Sequence, residues 1–246
     1  ERYTGQIVRA GPRPELGIGM LMDRAGSLNR LARPAEALLL ATGLGERALR
    51  DGQTRIASLA FFEFARARHL LGAPRAEVEP LLVRIREITG EPLWQANAGL
   101  QVLIESVRVD WDIADGRLAE AAQRIAALLA HRSMKNADHV RPRRLTLMLA
   151  ARIGLARRDF AAAAGHAREA LELAEASARG ADTSADVGEA LLLQSGIQAA
   201  EGQIIAARSG FERAERCLRN GYGLQHPLTL EAARLRAELG AWGRIS

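Results

Sequence analysis

The chain has 246 residues, of which 48% are hydrophobic but only 4% aromatic, so a large core must be built mainly from alanine and leucine, the best helix formers. Its apolar runs are short and broken by arginine or glutamate, which excludes a membrane-spanning helix, and its single cysteine excludes an internal disulfide or a thiolate metal cluster. The net charge of +5 arises from interspersed arginines and acids, and this mixture does not by itself indicate a nucleic-acid-binding surface.

A repeated pattern of two amphipathic stretches occupies residues 16–246. Residues 1–15 include Gly11, Pro12 and Pro14 and have the composition of a linker or of the end of a preceding repeat. In each repeat an apolar-periodic stretch of ~14 residues precedes a break, and a second amphipathic stretch follows it. We call the residue at each break the repeat start. The repeat starts are Ala32, Gly72, Gly116, Arg158 and Gly202, with successive spacings of 40, 44, 42 and 44 residues. Five occurrences at a nearly constant period indicate a helical repeat protein.

The stretches after the repeat starts predict the second helix of each repeat. These helices are predicted at Pro34 to Arg50, Pro74 to Thr89, Arg117 to Arg132, Phe160 to Ala178 and Gln203 to Arg219. A further stretch, Leu228 to Leu239, predicts a terminal helix that covers the last apolar face. Strict alternation of apolar and polar residues does not persist anywhere, and valine, isoleucine and threonine clusters are sparse. We therefore predict an all-α fold without a strand.

The spacing of small and large residues in the last repeat predicts how its helices pack. Gly202 allows a sharp turn between antiparallel helices because it carries no Cβ. Ala207 is small where the partner helix approaches most closely. Phe211 and Ala214 follow four and three residues later on the same helical face. Cys217 lies within the same helical pattern, and we expect it to pack rather than to react.

These residues resemble the tetratricopeptide repeat, in which small residues and aromatic residues recur at fixed intervals. The best match in the last repeat consists of Gly202, Ala207, Phe211 and Ala214, whereas the second repeat departs most, with Pro74 and Glu77 at the aromatic and alanine places. The long period is similar to that of the tetratricopeptide repeats of kinesin light chains and bacterial signalling proteins. Such repeats commonly carry an HPxTL connector, and the matching residues here are His226, Pro227, Thr229 and Leu230.

The resemblance implies an α-solenoid of about five antiparallel helix pairs with a C-terminal capping helix. It also implies that the first helices line a concave surface that binds a protein or peptide partner. The residues that it assigns to this surface are Met22, Asn29, Phe62, Arg66, His69, Met148 and Arg152, and in the third repeat either Asp110 or Asp112. The asparagine ladder of kinesin-type repeats is missing, and its places hold Asp23, Glu63, Leu149 and Leu193. This difference argues against main-chain clamping of a peptide.

No motif in the sequence predicts catalysis or metal binding. Asp110, Asp112 and Asp115 are spaced like the start of a calcium loop, but Ala114 and Ala121 stand at its fifth and twelfth positions, where oxygen ligands are needed. The TGLGERA stretch contains Gly-x-Gly without a preceding strand, so a bend within a helix is favoured over a dinucleotide site. The five histidines form no HExxH motif and no i, i+4 pair. We therefore predict a non-enzymatic protein without a metal ion or cofactor.

A cluster of cations lies in the connector MKNADHVRPRRL, which runs from Met134 to Leu145. Its members, Lys135, Arg141, Arg143 and Arg144, could contact phosphates of a nucleic acid or of a phosphorylated partner. No aromatic residues are interleaved to stack on bases. A solvated loop that leads into a helix is the simpler interpretation.

The expected function is a non-enzymatic module that binds a protein or peptide and forms part of a larger bacterial regulatory protein. Nucleic acid would be contacted only through a fused domain, and no membrane contact is expected. One alternative is a ligand-sensing effector domain of a transcriptional regulator, whose helices would rearrange when a ligand binds. Another is self-association into a homo-oligomer through exposed apolar ends. The expected location is the cytoplasm, with the periplasm as the alternative.

Overall fold

All regular structure that the computed structural model describes is helical. The structure describes residues 14–131, 134 and 139–242, and no strand occurs within these ranges. This confirms the prediction of an all-α fold. The linker predicted for residues 1–15 lies almost entirely outside the described residues, because the first helix begins at Pro14.

The helices follow the order that the repeat pattern predicts. Their bounds are α1 (Pro14–Arg30), α2 (Pro34–Ala41), α3 (Leu44–Arg50), α4 (Thr54–Leu70), α5 (Arg75–Thr89), α6 (Glu91–Ala96), α7 (Ala98–Ala114), α8 (Leu118–Ala130), α9 (Val140–Ala156), α10 (Phe160–Ser177), α11 (Ala185–Ala200), α12 (Ile204–Tyr222) and α13 (Pro227–Trp242). The helices at the positions predicted for the first helices are α1, α4, α7, α9 and α11. The second helices are α2 with α3, then α5, α8, α10 and α12. The short helix α6 was not predicted, and α13 corresponds to the predicted terminal helix.

The five repeat starts share one backbone conformation. The angle φ is +82°, +72° and +79° at Gly72, Gly116 and Gly202, and it is +55° and +60° at Ala32 and Arg158. In each repeat the residue after the start donates its backbone N–H to the carbonyl five residues earlier, at 2.8–3.0 Å. This is the hydrogen bond of a Schellman turn, which ends a helix with a left-handed residue. The repeat starts that sequence spacing aligns therefore adopt the same helix-ending turn.

A glycine at Arg158 is expected to stabilise the protein. Arg158 is exposed, and its left-handed backbone is unfavourable for a residue with a Cβ, whereas glycine adopts it freely. Glycine also has more conformational entropy in the unfolded chain, which offsets part of this gain. We expect the net effect of Arg158→Gly to be an increase of about 0.5–1 kcal/mol in the free energy of unfolding. Urea unfolding measures this change. The control is Arg157→Gly, because Arg157 has a right-handed backbone with φ −78°. Equal losses of stability in both variants would contradict the assignment of strain to Arg158.

The second helices bury three residues with the same mutual spacing in every repeat. In four repeats these positions lie 5, 9 and 12 residues after the repeat start, as do Ala207, Phe211 and Ala214 in the last repeat. Spacings of four and three residues keep them on one helical face, and their burial confirms the packing prediction. In the second repeat the buried set is one residue later, at Val78, Leu82 and Ile85. The shift follows from Pro74, which precedes the first residue of α5.

The second helix of the first repeat is broken in two, as the bend interpretation of TGLGERA predicts. Gly43, between α2 and α3, has φ +75°. Two residues later, Gly45 lies against Phe61 of α4, and a Cβ at Gly45 would stand only 2.7 Å from Phe61 Cε2. The bend therefore places a residue without a side chain where an aromatic ring needs the space.

The chain divides into two compact units, with the boundary inside α7 after Val107. In the N-terminal unit, α4 packs against α1, α2, α3 and α5, so successive first helices α1 and α4 are in contact. In the C-terminal unit, α9 packs against α8, α10 and α11, and then α11 packs against α12 and α12 against α13. Within each unit, then, a first helix touches its own second helix and the first helix of a neighbouring repeat.

Candidate functional site

One position of the first helices is half-buried in all five repeats. It lies six residues before the repeat start, and we call its occupants the pre-turn residues. They are Gly26, Arg66, Asp110, Arg152 and Gly196. Side chains at this position are neither buried in the core nor fully exposed to solvent. They can contact a partner while packing holds their helix in place. Two of them, Arg66 and Arg152, are among the residues that the family resemblance assigns to a binding surface.

In the C-terminal unit the pre-turn residues lie beside apolar side chains. Arg152 Nη2 forms an ion pair with Asp110 Oδ1 at 2.6 Å. Met148, one turn before Arg152 on α9, is half-buried. The equivalent positions on α11, 44 residues later, hold Leu192 and Gly196, which are also half-buried. A Cβ at Gly196 would meet no atom within 4 Å. We call Met148, Arg152, Leu192 and Gly196 the C-terminal face.

The two aspartates that the sequence left as alternatives have different environments. Asp110 is half-buried and binds Arg152, whereas Asp112 is buried. Asp112 Oδ1 accepts a hydrogen bond from Arg117 Nε at 3.1 Å, and Asp112 also pairs with Arg124 of α8. Asp110 is therefore the aspartate on the surface of the first helices. Asp112 instead joins α7 to α8 and to the turn between them.

Two residues predicted to line the surface in the N-terminal unit are buried instead. The side chain of Phe62 is 0% exposed and that of Asn29 is 3% exposed. Asn29 on α1 donates hydrogen bonds to Glu63 of the neighbouring first helix. The resemblance assigned both residues to the surface from register alone. Their burial corrects that assignment. Asn29 is enclosed where α1 packs on α4, and Phe62 is fully buried on α4.

The other predicted residues of the N-terminal unit are half-buried. Met22 packs against a core cluster that includes Ile18 and Ala57, so a large part of its side chain serves the fold. His69 lies in the last turn of α4, and its carbonyl accepts a hydrogen bond from the Gly72 N–H at 2.9 Å. The guanidinium of Arg66 forms no ion pair or hydrogen bond with the part of the chain that the structure describes.

The cationic connector contributes two of its four cations to packing. Arg143 pairs with Glu169 on α10. Arg144 is buried and pairs with Asp186 on α11 at 2.7 Å. Arg141 is exposed, and Lys135 lies outside the described residues. These pairs reduce the positive charge that the connector could offer to phosphates.

Cys217 packs in the core of the last repeat, as predicted. It is buried, and its thiol donates a hydrogen bond to the Ala181 carbonyl at 3.4 Å. Burial is the main cause that raises the pKa of this thiol. A higher pKa leaves less of the reactive thiolate near neutral pH.

No group of three or more histidine, cysteine, aspartate or glutamate side chains within the described residues could hold a metal ion. Across the same residues, no helix combines the length and the apolar character needed to cross a membrane.

Three residues that bear on partner binding are not among those that the sequence assigns to a binding surface. They are Leu192, Gly196 and Glu63. Moving Met148 and Arg152 forward by the 44-residue spacing of the last two repeats reaches Leu192 and Gly196. The repeat alignment could therefore have found these two. Glu63 stands at one of the asparagine-ladder places of the family resemblance, but spacing could not reveal its hydrogen bond with Asn29, which is 34 residues away.

Comparison with protein-family models gives no match for this chain, and comparison with curated proteins gives none either. The repeat geometry and the surfaces of the first helices therefore remain as the evidence for a function.

Proposed function

We propose that the chain is a non-enzymatic interaction module that binds an extended peptide segment of a protein partner on its first helices. In this proposal the helix pairs are tetratricopeptide-type repeats of the α-solenoid class, five pairs closed by α13. The module would belong to a regulatory protein. The observation that carries the proposal is the C-terminal face, where Met148 and Leu192 occupy equivalent half-buried positions, one helical turn before Arg152 and before the open space over Gly196. Part of the Leu192 side chain also packs against the core of the last repeat.

The packing of the C-terminal unit supports the first helices as the binding surface. Helix α9 packs against α8, α10 and α11, and most of its residues outside the core, Met148 and Arg152 among them, are half-buried rather than exposed. Apolar strips with a few fixed polar groups are typical of peptide-binding grooves. The second helices α10 and α12 instead present more exposed residues, as expected of a solvated outer side.

The chemistry of the C-terminal face favours an extended peptide. Met148 is flexible and polarisable, so it can adapt to different apolar side chains. Arg152 offers N–H groups to a carboxylate or a main-chain carbonyl, and its pairing with Asp110 fixes its direction. The missing side chain at Gly196 lets a peptide backbone approach α11 closely.

Filling the space over Gly196 is the test of this proposal. Peptides would first be selected from a displayed random library and synthesised with a fluorescent label. We expect Gly196→Gln to weaken the binding of these peptides by about tenfold, equivalent to about 1.4 kcal/mol, because the new side chain occupies the groove. Fluorescence polarisation measures the affinity, and circular dichroism confirms that the helices are retained.

The matched control is Gly165→Gln on the second helix α10. A Cβ at Gly165 would also meet no atom within 4 Å, so both variants add the same side chain to open space on a helix. We expect Gly165→Gln to leave the peptide affinity unchanged. Equal effects of the two variants, or the selection of no binding peptide, would refute the proposed function.

A further inference from the structure

In the N-terminal unit, a buried asparagine holds the carboxylate of Glu63 in one orientation. Asn29 Nδ2 donates hydrogen bonds to the Glu63 backbone carbonyl at 2.9 Å and to Glu63 Oε2 at 2.8 Å. Because both partners are acceptors, the amide orientation of Asn29 is fixed. The other carboxylate oxygen, Oε1, lies over Gly26, where a Cβ would stand 3.0 Å away from it. Helix α1 thus positions a charged group on α4.

Among the described residues, this positioned carboxylate has no cationic partner. Glu63 is half-buried, and it forms no ion pair within the described ranges, although arginine is abundant in the chain. Other acidic side chains between neighbouring helices form an ion pair with an arginine. Asp110 pairs with Arg152, Glu175 with Arg213 and Glu169 with Arg143. A carboxylate that has lost part of its hydration and gained no cation is unfavourable for the fold. A cation supplied by a partner would compensate for this loss.

Arg66 presents the complementary charge one helical turn later on α4. It is half-buried and, as described above, its guanidinium makes no ion pair or hydrogen bond to the described residues. Residues three apart on a helix are neighbours, with Cβ atoms about 5–6 Å apart. Glu63 and Arg66 are nevertheless not paired with each other. The surface therefore carries one negative and one positive group side by side, each with unused bonding capacity.

We infer that Glu63 and Arg66 recognise a partner segment that carries a basic and an acidic side chain two residues apart. In an extended peptide, side chains at positions i and i+2 point to the same side and lie about 6.6 Å apart, close to the separation of the two groups on α4. The basic side chain binds Glu63 and the acidic side chain binds Arg66. This inference rests on the proposed function, because it names the charge pattern of the peptide that the first helices bind.

Short peptides with defined charge order test the inference. Four labelled nonapeptides of serine and alanine would carry Lys-x-Glu, Glu-x-Lys, Lys-x-Lys or Glu-x-Glu at their centre. We expect one of the two mixed orders to bind at least about tenfold more tightly than the like-charge peptides, since each bound charge then has its counterpart. The double variant Glu63→Arg with Arg66→Glu is expected to favour the opposite mixed order. An unchanged preference in the double variant would overturn the inference.

A second variant tests the role of α1 without removing either charge. Gly26→Ala places a methyl group against Glu63 Oε1 and Cδ, which would be 3.0 and 3.2 Å from it. The flexible carboxylate can move aside, so the fold is retained, but its orientation by Asn29 is lost. We expect weaker binding of the preferred mixed peptide with little change in the free energy of unfolding. Full affinity in Gly26→Ala would show that the orientation of Glu63 has no role in recognition and would overturn this part of the inference.

The outcomes separate the inference from the proposed function. If library-selected peptides bind and are weakened by Gly196→Gln, but show no response to the Glu63 and Arg66 variants, the proposed function stands and the inference is wrong. If neither the selected peptides nor the four charged peptides bind, both are wrong.

Discussion

Replacing Gly188 with alanine is expected to lower the free energy of unfolding of the C-terminal unit by about 2–3 kcal/mol. Gly188 is buried on α11, and a Cβ there would stand 2.7 Å from Leu218 Cγ and 3.0 Å from the Leu218 backbone nitrogen on α12. Leu218 is itself fully buried and has no free space into which to move. The helices must therefore separate, which also weakens the packing of Ala214 and Cys217 in the same cluster.

The matched control is Gly196→Ala, two turns later on the same helix. A Cβ at this position would meet nothing within 4 Å, so only the helix propensity changes. We expect this variant to gain up to about 1 kcal/mol, because glycine is the poorer helix former. Urea unfolding followed by circular dichroism measures both variants. Similar changes in the two variants would show that α11 and α12 do not approach as closely at Gly188 as the structure indicates.

Replacing Arg144 with alanine is expected to destabilise the protein by about 2–3 kcal/mol, because it leaves a cavity and removes the cation from two acids that are themselves 42% and 21% exposed. Arg144 is only 3% exposed. Arg144 Nη2 lies 2.7 Å from Asp186 Oδ1, and Nη1 lies 3.7 Å from Glu189 Oε2. Arg144→Ala leaves these two acids of α11 facing each other without the cation that joins them to α9, and it also leaves a cavity. Chemical unfolding of Arg144→Ala measures the loss.

An exposed ion pair provides the control for Arg144. Arg234 and Glu238 of α13 pair at 2.6 Å, with side chains that are 60% and 51% exposed. We expect Arg234→Ala to cost no more than about 0.5 kcal/mol, because water solvates both partners when the pair is lost. A double-mutant cycle of Arg144→Ala with Asp186→Asn then isolates the coupling between those two residues. A loss for Arg144→Ala as small as that for Arg234→Ala would contradict the buried role of Arg144.

The two stability predictions concern contacts on which the proposed binding surface depends. Arg144 also donates a hydrogen bond to Met148 Sδ at 3.4 Å, so it helps to place a residue of the C-terminal face. Gly188 sets the distance between α11, which carries Leu192 and Gly196, and α12 behind it. Changes at Arg144 and Gly188 are therefore expected to affect peptide affinity through the fold, whereas Gly196→Gln acts directly.

Several corrections concern side chains whose environment depends on a neighbouring helix. Register in the repeat predicts a surface position for Asn29 and Phe62, but both are buried, Asn29 where α1 packs on α4. The choice between Asp110 and Asp112 was likewise open in the sequence. It depends on the positions of Arg152 and Arg124, which lie on other helices. Sequence spacing places a residue on a helix face but does not determine what covers that face.

The sequence by itself determined the all-α character, the five repeat starts and most second helices, because these features depend on interactions between residues a few positions apart. Helix propensity, apolar periodicity and the left-handed turn at Gly202 are of this local kind. Only the tertiary structure decided which charges are neutralised and which stay available, as the contrast between Arg152 and Arg66 illustrates. The physical reason is that an ion pair needs two groups within about 4 Å, and that distance is set by the packing of helices some 40 residues apart in the chain.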